Sequence, residues 1–170
     1  IFLAEVPFPA VTPIQALPAG TYNVAVQPSI APGTFPIGPV DLDLAAGTWY
    51  TALAVDFLDN IELLILDDDA RPLALSAKVR IVHASPTAQD VDIYVVAPET
   101  DINTVDPTLS NIPFKANTGY LALPEGDYEV FVTPTGTKDV AIGPEAISIA
   151  NGGVYTAIAR DPEPESMEFG

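Results

Sequence analysis

The sequence predicts an all-β protein made of two tandem antiparallel β-sandwiches, and three observations carry that prediction. The first is an internal repeat. Val6–Pro28 (VPFPAVTPIQALPAGTYNVAVQP) recurs at Ile112–Pro134 (IPFKANTGYLALPEGDYEVFVTP) at an offset of 106, with 12 of 23 positions identical. Ile37–Ala54 (IGPVDLDLAAGTWYTALA) then recurs at Ile142–Ala159 (IGPEAISIANGGVYTAIA) at an offset of 105. The second is a series of short segments in which apolar and polar residues alternate, separated by Pro, Gly, Asn and Asp every roughly 8–12 residues, the rhythm of a sandwich. The third is that no window of adequate length carries the 3.6-residue apolar period of a helix.

Taken in order, Ile1–Val6 reads as a short strand. Prolines 7, 9 and 13 then exclude a central strand, because Pro cannot donate to a ladder, and predict an edge or an extended crossing. Leu17–Gly20 (LPAG) is a turn, with Pro early and Gly supplying a permissive backbone. Thr21–Gln27 alternates with Tyr22, Val24 and Val26 on one face, the pattern of a half-buried antiparallel strand. Ser29–Pro39 is a loop, and Val40–Leu44 alternates again. After the turn at Ala46-Gly47, Thr48–Phe57 and Ile61–Leu66 are apolar strands, closed by Asp67-Asp68-Asp69.

The second unit is expected from Leu75 onward, giving domains of 1–74 and 75–170. Lys78–His83 and Val91–Val96 are β-branched strands around Ser85-Pro86-Thr87. Val91, Ile93 and Val95 share one face, Asp92 and Tyr94 the other, with Asp90 and Asp92 expected to point outward. Pro98–Asn111 reads as a polar loop. Strands follow at Gly119–Leu123, Asp127–Thr133, Ala146–Ile149 and Val154–Arg160, and the tail DPEPESMEFG is expected to be extended.

Charge restricts the partners. There are 23 acidic residues against six basic ones, a formal net charge of −17, and every Lys and Arg lies after position 70. Such a polyanion repels phosphate backbones and anionic lipid surfaces, which argues against nucleic acid as a partner. A surface of this kind suits salty or extracellular conditions. No apolar run is long enough to span a bilayer. Cysteine is absent, so disulfides take no part.

Few residues could carry chemistry. His83 is the single histidine, so a histidine metal site or a Ser-His-Asp triad would need it. No G-x-S-x-G elbow accompanies it, and its expected role is a buried, hydrogen-bonded one that ties the following turn. Asp67, Asp68 and Asp69 are the best calcium candidates, with Asp41, Asp43, Asp56 and Asp59 behind them. They lack the spaced loop that gathers six to eight oxygens, and adjacent carboxylates cannot all face one ion. No catalytic or cofactor-binding residues are therefore expected, and calcium is the one ion kept open. The motif L-P-x-G-x-Y, at Gly20/Tyr22 and Gly126/Tyr128, suits a tyrosine corner whose ring packs inward and whose hydroxyl bonds back to nearby backbone. Tyr50 and Tyr155 are read as structural too, and Trp49 as a packing residue.

AKVRIVHASPTAQDVDIYV (Ala77–Val95), followed by SNIPFKANTGYLALPEGDYEVFV and GGVYTAIA, resembles the DUF4397 family. These are bacterial and archaeal extracytoplasmic domains, often in tandem, of unassigned function. The resemblance implies an immunoglobulin-like or transthyretin-like sandwich in a secreted or cell-surface protein, and it brings no catalytic residues. Against that pattern the first unit lacks its N-terminal VRxVHASP…VDxYV strands, since Ile1 aligns with Pro107. The second unit is expected to lack most of its closing strand. Incomplete sandwich edges imply protein partners or self-association. The expected function is accordingly a non-enzymatic structural or adhesive module, with a filament subunit completed by strand donation as its sharper form. The alternative is a module that binds glycan or calcium through the 98–106 loop or the acidic clusters.

Overall fold

The structure, a computed structural model, describes residues 6–29 and 33–162. The chain divides into two units, one holding the residues up to Asp68 together with Pro162 and the other spanning Asp69–Asp161. Both are built of β-strands.

In the first unit, β1 (Gly20–Val26) and β2 (Ile37–Leu44) form an antiparallel pair with Tyr22 opposite Leu42 and Val24 opposite Val40. A second antiparallel pair joins β3 (Trp49–Val55) to β4 (Glu62–Asp68), with Trp49 opposite Asp68 and Val55 opposite Glu62. A single 3-10 turn at Leu58–Asn60 connects them. Each pair is a sheet of only two strands among the described residues. The buried apolar residues here are Ile37, Val55 and Leu66. Between β2 and β4 lies an open apolar cavity of about 350 Å³, with Ile37, Val40 and Leu42 on one side and Leu63 and Ile65 on the other. The strand expected over Ile1–Val6 falls mostly on residues outside those described, as does nearly all of the acidic tail.

The second unit contains β5 (Ala77–His83), β6 (Val91–Val96), β7 (Leu109–Ile112), β8 (Leu121–Leu123), β9 (Gly126–Pro134), β10 (Ile142–Ile149) and β11 (Val154–Ala159). They form two sheets, ordered β10-β9-β6-β7 and β11-β5-β8. Side chains from both meet in one core of Ala77, Val79, Ile81, Val91, Ile93, Val130, Val132, Ile149 and Ala159. Five of those nine come from β5 and β6, so these two strands supply the larger part of the core. The ladders are antiparallel except one: β5 runs parallel to β11, with Lys78 opposite Val154 and His83 opposite Ala159. A purely antiparallel sandwich is therefore corrected at this pair. Residues 76 positions apart meet there, and no local turn signal announces such a pairing.

Every residue of β5 is buried. Alternation accounts for Val79 and Ile81 in the core but not for Lys78 and Arg80 on the opposite face. There the Lys78 ammonium meets Asp69 at 2.6 Å. The Arg80 guanidinium lies 4.9 Å from the Tyr120 ring and donates to Thr156 Oγ1 at 3.0 Å. Long cationic side chains pack their stems under such a ring while their heads stay paired.

Burial on both faces also overturns the outward placement of Asp92, whose carboxylate is 5% exposed. The loop after β6 is the reason. It forms a 3-10 turn at Ile102–Thr104 whose Ile102 packs with Tyr94 and Phe131, covering the face that alternation assigned to solvent. Asp92 accepts from the backbone N–H of Asn111 and Gly136, both at 2.9 Å, and from Thr135 Oγ1 at 3.2 Å. The end of the expected loop is itself strand β7.

Candidate functional site

The repeat lets each unit serve as a template for the other. Subtracting 106 from β9 gives β1, and subtracting 105 from β10 and β11 gives β2 and β3. The local details agree closely. Tyr22 Oη donates to the Pro18 carbonyl at 2.8 Å, and Tyr128 Oη to the Pro124 carbonyl at 3.1 Å. Gly20 and Gly126 precede them with φ of +153° and +155°. Tyr50 Oη accepts from Ala45 N–H at 3.1 Å, and Tyr155 Oη from Ala150 N–H at 3.2 Å. Gly38 and Gly143 have positive φ for a steric reason as well: a Cβ would lie 2.3 Å from the Val24 carbonyl oxygen and 2.5 Å from that of Val130.

What differs is what lies beside these strands. In the second unit β9 is flanked by β10 and β6, and β11 by β5. In the first unit β1 has β2 alone and β3 has β4 alone among the described residues. Among the described residues, no strand pairs with the sides of β1 and β3 that correspond to β6 and β5. Residues 15–17 show the consequence. Their counterparts, Leu121–Leu123, form β8 by pairing with β5, whereas 15–17 form no strand. Ile14 is 80% exposed and Leu17 is exposed too. An unpaired row of backbone N–H and C=O groups beside apolar side chains is a template for an added strand.

Other sequence candidates are tied into the fold. The His83 ring is 1% exposed. Ser85 N–H donates to its Nδ1 at 3.4 Å, which leaves Nε2 as the protonated nitrogen, donating to the Gln89 carbonyl at 2.9 Å. The ring also meets Phe114 edge-on, with centroids 6.1 Å apart. Ser85 Oγ bonds to Asp161 rather than to the imidazole, and Thr87 Oγ1 donates to the same carboxylate at 2.6 Å.

Of the three consecutive aspartates, Asp68 accepts from Thr51 Oγ1 at 2.7 Å, while Asp69 pairs with Arg71 at 2.7 Å and with Lys78. The Arg71 side chain first, and Lys78 next, hold the Asp69 carboxyl far below the usual range. Asp67 lies in β4 opposite Tyr50. Asp43 accepts from Thr21 at 2.5 Å, Asp41 from Asn23 at 2.9 Å, and Asp56 from the N–H of Phe57. No group of three or more His, Cys, Asp or Glu among the described residues could hold a metal ion.

The 98–106 loop is fastened at both ends of its 3-10 turn. Asp101 caps it, accepting from Asn103 N–H at 3.0 Å. The Lys138 ammonium donates to the Ile102 and Val105 carbonyls at 2.7 and 2.6 Å. Trp49 is 50% exposed at the start of β3, so it packs at an edge and not in a core.

Sequence alternation did not single out Asp92, Lys78 or Arg80. The visible signal was charge inside two otherwise apolar runs, Lys78 and Arg80 in KVRIV and Asp92 in VDIYV. In a strand that pattern normally marks a wet face.

Repeat, topology and open edges together define a tandem all-β repeat protein. The chain belongs to the family described as Domain of unknown function (DUF4397), whose model matches residues 2–94 and again residues 77–169. Residues 77–94, the span of β5 and most of β6, lie in both matches. No curated protein and no solved structure matches the chain. No helix among the described residues is long and apolar enough to cross a membrane.

Proposed function

We propose that this chain is a non-enzymatic structural or adhesive module of a secreted or cell-surface protein, joined to its neighbours by strand addition at the open edges of the first unit. The observation that carries the reading is the pair of edges on β1 and β3 that, among the described residues, lack the neighbours their counterparts have. An exposed edge with apolar flanks is normally blunted by charge, Pro or a cover. Here β1 and β3 present Val24, Val26 and Leu53 only half-buried. The strongly acidic composition favours a soluble, repelling surface everywhere except where strands can pair. Assembly of repeats head to tail through such contacts is open-ended and produces filaments.

The groups a reader would first suspect of chemistry are occupied in structural bonds: His83 in a turn, Asp92 among three donors, Asp69 between two cations. The 98–106 loop lends less weight to a glycan site, since its central residue is buried and its carbonyls are held by Lys138.

Light scattering coupled to size-exclusion chromatography over a wide concentration range tests the proposal. The mass is expected to rise above that of one chain with concentration, with amide protection appearing in β1 and β3. A cooperative monomer at every concentration would contradict it.

A further inference from the structure

At one end of the four-stranded sheet of the second unit, strained backbone and buried polar groups build an open cleft of about 540 Å³. Its lining comes from three places: Gln89 and Asp90 just before β6, Asn111 near the end of β7, and Pro134 and Thr135 at the end of β9. We propose that this cleft binds a neutral glycan, held by hydrogen bonds to the side chains of Gln89, Asp90 and Asn111. Every residue involved lies in the second unit, so the site is independent of strand addition at β1 and β3. It also shares no residue with the 98–106 loop.

Strand register creates the site. Val91 and Ile93 of β6 stand opposite Ile112 and Leu109 of β7. Asp92 alone therefore faces both Ser110 and Asn111, a β-bulge, the device that re-aims a side chain out of a regular ladder. Asn111 completes the bulge with a φ of +62°, a left-handed conformation that Asn tolerates better than most residues. The Asp92 carboxylate fixes this geometry by accepting from Asn111 N–H, and it accepts from Thr135 Oγ1 and Gly136 N–H on another wall. Thr135 N–H in turn donates to the Asp90 carbonyl at 3.0 Å, and the His83 ring holds the Gln89 carbonyl. Two buried polar groups, Asp92 and His83, thus fasten all three walls. The bonds that Gln89, Asp90 and Asn111 make within the fold run through main-chain atoms. All three residues are exposed, so two carboxamides and one carboxylate remain for a ligand.

That donor set selects among ligands. The Asp90 carboxylate, with Asp92 one hydrogen bond away from Asn111 and Thr135, repels anions. Calcium takes six to eight oxygens, whereas the lining offers one carboxylate and two amides that present N–H as well as C=O. An apolar ligand finds only the Pro134 ring. A sugar hydroxyl both donates and accepts, and carboxamides beside a carboxylate answer both roles. The Thr135 hydroxyl gives its proton to Asp92 and is left as a further acceptor. Pro134 supplies an apolar ring for the C–H face of a pyranose. The volume falls within the roughly 300–1,000 Å³ of small-molecule sites.

The test is an NMR titration of the isotopically labelled chain with the methyl glycosides of glucose, galactose, mannose and N-acetylglucosamine. At least one should shift the backbone amides of Asp90, Asn111 and Thr135 and the side-chain amide signals of Gln89 and Asn111, and the shifts should saturate. Asn111→Gly separates binding from folding. Glycine suits the positive φ and keeps the N–H that Asp92 accepts, so the side chain is lost without loosening the bulge. This variant should bind about tenfold more weakly, the worth of one hydrogen bond, while its unfolding midpoint holds or rises. Asp90→Ala should weaken binding to a similar degree. No saturable shift with any glycoside, shifts centred elsewhere, or unchanged affinity in either variant would overturn the proposal. Shifts at these residues with calcium chloride and none with sugar would overturn it too. A chain that binds a glycoside yet stays monomeric at every concentration would sink the assembly reading and leave this site standing.

Discussion

Val24 and Val26 of the first unit and Val130 and Val132 of the second occupy the same places in the same repeated sequence, yet their environments differ. Val130 and Val132 are 8% and 4% exposed, whereas Val24 and Val26 are only half-buried. Ala159 is buried and its counterpart Ala54 is exposed. Phe114 packs against His83, while Phe8, its twin, is 61% exposed. Of the large apolar side chains exposed among the described residues, ten belong to the first unit and five to the second. Local sequence is shared, so it cannot be the cause. Neighbouring strands are. The tyrosine ties, the glycine turns and the hairpin registers form in both units because they depend on residues close in the chain. Burial depends on β5 and β6, and among the described residues only β9 and β11 have such strands beside them.

The largest loss of stability is expected at β6. Ile93 is fully buried in the filled core, and Ile93→Ala is expected to cost about 2–5 kcal/mol through lost transfer energy and a residual cavity. Urea unfolding followed by circular dichroism would measure it. The paired substitutions Val132→Ala and Val26→Ala sharpen the contrast: the first should destabilise clearly more than the second, because only Val132 is sealed from water.

Asp92 comes next. Burial pushes its carboxyl up, but the N–H groups of Gly136 and Asn111, the Thr135 hydroxyl and the charge of Lys138 outweigh that and hold it below its ordinary value. A depressed folded-state pKa means that the native state binds fewer protons in acid. The stabilisation is complete above the unfolded aspartate value of about 3.9 and is lost as pH falls through the lower folded value. Asp92→Asn should flatten that acid dependence in a pH series of unfolding midpoints. Asp92→Ala should cost about 1–3 kcal/mol at neutral pH by leaving buried donors without their acceptor.

Gly38→Ala and Gly143→Ala test what the units share. Each Cβ would meet backbone oxygen at a distance no Cβ tolerates. Each should destabilise its own hairpin by about 1–3 kcal/mol, and the two losses should be alike, since the obstruction is local. Tyr22→Phe and Tyr128→Phe should give the smallest effects, about 0.5–1.5 kcal/mol apiece for one hydrogen bond. Thermal melts of the matched variants would compare them.

Most of this architecture was legible in the sequence wherever it depends on near neighbours. Alternation located ten of the eleven strands among the described residues to within a few positions, and L-P-x-G-x-Y led to both tyrosine ties. A lone histidine inside a β-branched run pointed to a structural ring. Legibility ended where distant segments decide the outcome. The charges at Lys78, Arg80 and Asp92 looked wet because alternation cannot see Tyr120, Asp69 or the 3-10 turn that cover them. The parallel β5–β11 pairing was invisible for the same reason. The open edges were legible only indirectly, through an alignment of the chain with itself.

The most direct test of the central claim is residue-resolved amide hydrogen exchange on the isolated chain at low protein concentration. The account predicts that amides of β1 and β3 facing away from β2 and β4 exchange far faster than their repeat counterparts in β9 and β11, while those facing β2 and β4 are protected in the ordinary way. Equal protection of Val24 and Val26 with Val130 and Val132, in a chain shown to be monomeric, would mean that these edges are already paired and would contradict the account.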